Sequence, residues 1–298
     1  MKAILLVNLG TPAAPTPQAV RRYLAEFLSD PRVVKLPRLV WLPILHGLVL
    51  RTRPEKAAEK YAQIWTSEGS PLAVNTRRQA EALRKLVKGA KVEHAMRYGE
   101  PSIASALARL EGCNVTVVPL YPQYSESTTQ SVADKLPPGL RMVRDFHDHP
   151  AYIAALAANV RRHWDRHGRA LLVLSFHGLP KRGSQAYEEQ CLETGKLLAA
   201  KLGLDKSEWR MTFQSRFGYA EWLQPYTEPT LIALAAAGTA RVDVFCPGFV
   251  ADCLETLEEI GIAARKKFLR AGGRELHLLP CLNDSPEWVA ALAQISGL

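Results

Sequence analysis

The sequence predicts an α/β protein of two similar halves, each a parallel sheet flanked by helices, with a cleft between them. Three observations carry that expectation. Short apolar runs alternate with amphipathic stretches, the rhythm of parallel strands joined by helices. The rhythm restarts after Pro150. The chain's 298 residues also exceed what a single ordinary core organises.

The first half is expected over residues 1–149. Ala3–Asn8 reads as a buried strand, and Pro17–Leu28 as a helix with apolar residues at Val20, Tyr23, Leu24, Phe27 and Leu28. A helical stretch Leu72–Leu86, a strand Val92–Met96, a helix Ser102–Leu110 and a strand Val115–Leu120 follow. The second half, residues 150–298, opens with a helix Pro150–Trp164 and a strand Leu171–Ser175. Then come a helix Tyr187–Leu202, strand Arg210–Phe213, helix Thr227–Ala236 and strand Arg241–Phe245. A helix Cys253–Leu269, a strand Glu275–Leu279 and a closing helix near Pro286–Ile295 complete it. One segment breaks the pattern: Leu36–Leu50 is strongly apolar, contains Pro37 and Pro43, and runs into Arg51 and Arg53. It reads either as a buried connecting helix or as an exposed apolar lip for a flat greasy ligand or a membrane surface.

Composition excludes several classes. Apolar residues make up 47% and charged residues 22%, ordinary for a globular chain and incompatible with wholesale disorder. The net charge of +9 suits an anionic partner. Without a Lys/Arg block, zinc-finger spacing or basic aromatic stripe, nucleic acid is not that partner. The five cysteines form no C-x-x-C pair, and no signal-peptide pattern opens the chain, so a reducing cytoplasm is expected. No stretch reaches the ~18 apolar residues that span a bilayer, which leaves peripheral membrane contact at most. A monomer is the expected state. No G-x-G-x-x-G follows the first strand, where Asn8-Leu9-Gly10-Thr11-Pro12 stands instead. P-loop, H-E-x-x-H and G-x-S-x-G patterns are missing too, so neither a nucleotide nor a zincin or hydrolase signature exists.

Chemistry therefore rests on strand ends, where open α/β sheets bind ligands. His177 follows the apolar run Leu171–Leu174 and is presented by a turn containing Gly178 and Pro180. Glu255 lies beyond Val242–Phe245, and Glu259 falls on the same helical face. A neutral imidazole with carboxylates can bind a divalent metal and take up protons. The structural alternatives are plain: a hydrogen-bonded histidine, and a capping box of Asp252 with Glu255. His147-Asp148-His149 resembles a metal tripeptide but lacks further ligands and reads as structural. The aromatics around Tyr121 and Tyr124, at the end of a first-half strand, read as packing or as lining for a planar ligand in the expected cleft.

Taken in order, nine segments resemble one family. They are Asn8–Pro12, Glu26–Asp30, Gly69–Leu72, Met96–Gly99, Pro119–Ser125, Ser175–Pro180, Thr212–Gly218, Trp222–Thr227 and Cys246–Ile260. Together they resemble the ferrochelatases nearly end to end. The resemblance implies two Rossmann-like domains and insertion of Fe²⁺ into protoporphyrin IX, with release of two protons. It places the metal-site histidine on His177, its partner on Glu255 and the next acid of the metal path on Glu259. Arg97, Tyr98, Tyr121 and Trp222 match pocket residues. Tyr61, Ser70 and Arg51 or Arg53 match the lip that meets the porphyrin carboxylates, and Leu9 stands above the ring. The alternatives are a chelatase for another tetrapyrrole, such as coproporphyrin or sirohydrochlorin with cobalt or nickel, and a porphyrin or haem carrier without turnover. The stretch between Arg182 and Tyr187 is shorter than in relatives. The cysteine-bearing extension that holds an iron–sulfur cluster in some members is missing, so no cluster, and no cofactor beyond the substrate iron, is expected.

Overall fold

A computed structural model describes residues 1–297. Among these, eight strands form two sheets of four. β1 (Lys2–Gly10), β2 (Ala90–Tyr98), β3 (Asn114–Pro119) and β4 (Arg141–Met142) pair in the order β2-β1-β3-β4. β5 (Leu171–His177), β6 (Trp209–Gln214), β7 (Arg241–Phe245) and β8 (Glu275–Leu278) pair as β6-β5-β7-β8. Every pairing is parallel, so the two sheets share one topology, and the α/β class expected from the strand–helix rhythm is what the chain forms. Parallel central strands are covered on both faces, which is why Ala3–Val7 and Leu172–Phe176 are buried without alternation.

The chain divides into two compact units, Met1–Asp145 with the last residues from Ala293, and Phe146–Leu292. The terminal residues return to the first unit because Ser296 and Gly297 line a small hollow with Lys2, Ile4, Asn114 and Arg141. In the first unit, Leu5, Val7, Ala95, Val117 and the helix residues Ile103 and Ala106 share one core. In the second, Val173, Val242 and Val244 pack with Leu231, Ile260 and Phe268.

Three elements depart from expectation. Leu50–Ile64 is a helix, with Leu50, Pro54, Ala58, Tyr61 and Ile64 buried along one side. β4 is only two residues long, too short to leave a periodic signal. The stretch expected as one α-helix from Cys253 to Leu269 is instead π-helical over Glu255–Ala264 and α-helical only over Arg265–Arg270.

Leu36–Leu50 combines both of its readings. Leu45 and Leu50 are buried with Leu28, and the Trp41 indole donates to the Leu28 carbonyl at 2.7 Å. The opposite side exposes Leu36, Leu39, Val40, Ile44 and Leu48, with Leu39 92% exposed. Single exposed apolar residues are ordinary, but a row of five on one short segment is a surface.

Candidate active site

His177 is the last residue of β5, paired in register with Gln214 of β6. Its Nδ1 lies 2.6 Å from the Gly178 carbonyl oxygen. A carbonyl only accepts, so Nδ1 carries the hydrogen and Nε2 keeps the lone pair. The imidazole is thus oriented as a base or metal ligand through Nε2. Its backbone is held separately: the Tyr187 hydroxyl donates to the His177 carbonyl at 2.8 Å. Phe249 stands beside the ring, with centroids 6.3 Å apart.

Gly178 is required by a close approach. A Cβ there would lie 2.7 Å from the Gln214 carbonyl oxygen and 3.2 Å from Cε3 of Trp222. The same carbonyl accepts the Gly178 N–H at 2.8 Å. Trp222 forms an isolated antiparallel bridge with Pro180, and its buried indole N–H has no hydrogen-bond acceptor.

Glu255 begins the π-helical stretch, a rare geometry that recurs at functional sites. The capping role weighed for it falls to another residue. The Cys253 N–H donates to Thr256 Oγ1 at 3.0 Å, and Asp252 is spent on Asn283 and the Cys281 N–H. Thr256 therefore takes the place Glu255 would hold in a capping box, leaving the half-buried Glu255 carboxylate outside the cap.

Glu259 is gripped by Ser215, whose N–H donates to Oε1 and whose hydroxyl donates to Oε2, both at 2.6 Å. Ser215 adopts a left-handed backbone, φ 63°, which a non-glycine residue holds only when its surroundings enforce it. Burial raises the Glu259 pKa above the ordinary glutamate value, against the Ser215 bonds and the nearby His177, which pull it down; the Glu255 charge adds to the rise. Glu259 thus feels both His177 and Glu255. Gln214 ties the pieces together, donating from Nε2 to the Glu255 carbonyl at 2.7 Å and accepting the Ser175 hydroxyl at 2.6 Å. Thr227 and Thr212 extend this buried polar chain beneath the strand ends. Gln214, Ser215 and Phe249 are the supporting residues that sequence reasoning did not single out. The strained serine has no sequence signature.

The first unit places its expected residues differently. Tyr98 is fully buried and donates to Asp30 Oδ2 at 2.8 Å; the same oxygen accepts the Ser131 hydroxyl at 2.7 Å and the Arg97 guanidinium. Arg97 also donates from Nε to the Ser131 carbonyl at 2.8 Å. These two matched residues belong to a buried network around Asp30. The Tyr121 ring packs on the core, and its buried hydroxyl has no hydrogen-bond partner. Ser70 is buried and accepts the Thr11 hydroxyl at 2.8 Å, while Tyr61 packs edge-on against Trp65. Leu9, half-buried, follows Asn8 at the end of β1 and donates its N–H to the Asn8 side chain at 2.8 Å. Arg51 is exposed, and Arg53 is half-buried, with burial lowering its pKa. In the second unit, His149 caps the helix Pro150–His167, its Nδ1 accepting the Ala151 N–H at 3.3 Å, which accounts for part of the His147–His149 tripeptide structurally.

Comparison with known proteins agrees with these motifs. The ferrochelatase family model matches residues 1–297. A ferrochelatase of Aromatoleum aromaticum is 56% identical over 313 residues, covering 98% of this chain and 86% of its own. One of Polaromonas sp. is 57% identical over 315 residues, covering 99% and 86%. Two solved structures share the fold at low identity. CbiX, the terminal enzyme for biosynthesis of siroheme in denitrifying bacteria, has a TM-score of 0.54 at 16% identity, with all of both chains covered. SirB from Bacillus subtilis with Fe³⁺ has a TM-score of 0.57 at 14% identity, covering 100% of this chain and 96% of its own. A full-length family match and relatives above half identity leave one conclusion: the chain belongs to the ferrochelatase family.

Proposed function

We infer that this chain is a ferrochelatase that inserts Fe²⁺ into protoporphyrin IX and releases two protons. The observation that carries the reading is His177, its Nδ1 held against the Gly178 carbonyl so that Nε2 keeps the lone pair, with Glu259 near enough to feel its charge. A planar porphyrin hides its nitrogen lone pairs in the ring plane, and two of the nitrogens carry hydrogens. Bending the macrocycle exposes them, and the strain is met by binding energy along the rest of the ring. His177 then accepts a pyrrole proton through Nε2. Glu259, whose burial favours the protonated form, is suited to receive a proton next, and Glu255 to hold His177 or the entering Fe²⁺. Trp222 offers a desolvated N–H beside the histidine turn. From the resemblance, Arg51 or Arg53 is assigned to the porphyrin carboxylates.

The test is turnover. Enzyme at sub-stoichiometric amount, with Fe²⁺ or Zn²⁺ and protoporphyrin in the absence of oxygen, should convert many equivalents, and coproporphyrin should react more slowly. Conversion stopping at one equivalent would make the protein a carrier. Glu255→Gln should cut kcat by roughly 10²-fold or more with little change in melting, since Thr256 does the capping. A loss of about 1 kcal/mol in stability with normal turnover would return Glu255 to a structural role.

Among the described residues no helix is long and apolar enough to cross a membrane. We place the enzyme in the cytoplasm, without a resident iron–sulfur cluster, and assign the exposed row Leu36, Leu39, Val40, Ile44 and Leu48 to contact with a greasy surface. Leu39→Glu with Leu48→Glu separates the two surfaces available. If the row receives porphyrin, KM for porphyrin should rise severalfold in detergent-free assays. If it rests on membrane, KM should hold and flotation with liposomes should be lost.

A further inference from the structure

A second group of ligand-type side chains lies in the second unit, away from His177. Asp243 on β7 and His277 on β8 are directly paired in the parallel register, so their side chains share one face of the sheet. His163 and His167 stand one turn apart at the end of the helix Pro150–His167. The three imidazoles converge, with ring centroids 4.7, 5.0 and 5.3 Å apart. His163 Nε2 lies 3.3 Å and His277 Nδ1 3.7 Å from the same atom, Asp243 Oδ1. Both nitrogens are buried, and neither makes a hydrogen bond.

We propose that His163, Asp243 and His277 form a second divalent-metal site, with His167 as the solvent-facing fourth ligand, for a borderline transition-metal cation such as Zn²⁺ or Co²⁺. The ligand atoms of the first three all lie within 4.8 Å of one another. Two imidazoles with a carboxylate, completed by a third imidazole, are a common four-coordinate donor set. Supporting contacts orient the donors as metal sites require. The Trp164 indole donates to Asp243 Oδ2 at 2.9 Å, leaving Oδ1 toward the histidines. His277 Nε2 faces Glu275 Oε2 at 3.3 Å, which favours the tautomer with Nδ1 bare. The helix end, with its partial negative charge, also favours a cation.

Arg241 is the competing partner. Its Nε and Nη2 reach Asp243 Oδ1 at 3.3 and 3.0 Å, but Nη2 also reaches Oδ2 at 3.3 Å and the Gly168 carbonyl at 3.1 Å, and Nη1 donates to the His167 carbonyl. A cation on Oδ1 therefore leaves Arg241 other acceptors. Leu172, the β5 partner of Asp243, precedes His177 by five residues. That is roughly 16 Å along a strand, so the two sites can be loaded independently.

The experiment titrates Co²⁺, without porphyrin, into the full chain carrying His177→Ala, reading the visible bands of bound cobalt, with Zn²⁺ as competitor. One equivalent should remain bound tightly, and adding His277→Gln or His167→Gln should weaken it at least tenfold. In the otherwise unaltered enzyme, His277→Gln should leave porphyrin metallation unchanged, and in the His177→Ala background it should abolish the rise in melting temperature that Zn²⁺ produces. A zinc-edge anomalous peak between His163 and His277 in a crystal of the unaltered protein gives the same answer without mutation. Unchanged cobalt affinity in both histidine variants, or no cobalt retained by His177→Ala, overturns the proposal and leaves the cluster as an Arg241–Asp243 ion pair flanked by histidines.

Discussion

His177→Ala is expected to lower metal insertion by roughly 10²- to 10⁴-fold, the range a positioned acid–base group supplies, while porphyrin still binds. The side chain's hydrogen bond runs from Nδ1 to the neighbouring Gly178 carbonyl and is worth about 1 kcal/mol. Beyond the Phe249 ring beside it, the residue is held mainly by its backbone. The Tyr187 hydroxyl reaches the His177 carbonyl, and the β5–β6 register pairs His177 with Gln214 through the main chain. The fold should therefore survive, and melting should move by only a few degrees. What disappears is Nε2 and with it the acceptor for pyrrole protons. Fluorescence titration with protoporphyrin measures the retained binding, and anaerobic single-turnover absorbance measures the lost chemistry. A variant keeping most of the wild-type turnover would remove His177 from the mechanism.

The strand-and-helix alternation was legible because parallel strands buried on both faces write continuous apolar runs, as in Ala3–Val7 and Leu172–Leu174. The helix Leu50–Ile64 was not recognised, although its buried side repeats at helical spacing. Two of its five buried positions are Pro54 and Ala58, and neither looks like a core residue in a sequence. His177 was legible as a strand-end residue, and both it and Glu255 through the motifs that surround them. The supports were not. Glu259 is held by a serine in a left-handed conformation, and Glu255 is freed from capping by Thr256; both depend on a π-helical turn that no propensity scale signals. In the first unit the motif Met96-Arg97-Tyr98-Gly99 was legible, but its engagement with Asp30 and Ser131 depends on contacts spanning 33 to 68 residues. Tertiary partners of that kind leave no local trace.

Gly10→Ala should destabilise the first unit by about 4 kcal/mol or more, the scale reserved for a definite steric or backbone failure. Gly10 ends β1 opposite Tyr98 of β2, and the two backbones approach so closely that a Cβ on Gly10 would sit 1.8 Å from the Tyr98 carbonyl oxygen. Its φ of 110° is also a conformation that only glycine adopts freely. The obstacle is main chain, so no rotamer change relieves it, and one of the strand ends must move. Moving Tyr98 would pull its hydroxyl from Asp30, which also anchors Ser131 and Arg97, and would leave buried polar groups unsatisfied. The glycine in Asn8-Leu9-Gly10-Thr11-Pro12 is therefore explained by strand packing and needs no phosphate to account for it. Urea unfolding measures the effect, with Gly47→Ala as the matched control, because a Cβ at Gly47 meets nothing within 4 Å. The control should remain within about 1 kcal/mol of wild type, while Gly10→Ala should unfold at much lower urea or accumulate as insoluble protein. Equal midpoints for the two variants would mean that the β1 and β2 ends can separate freely, and that the Asp30 network does not hold them together.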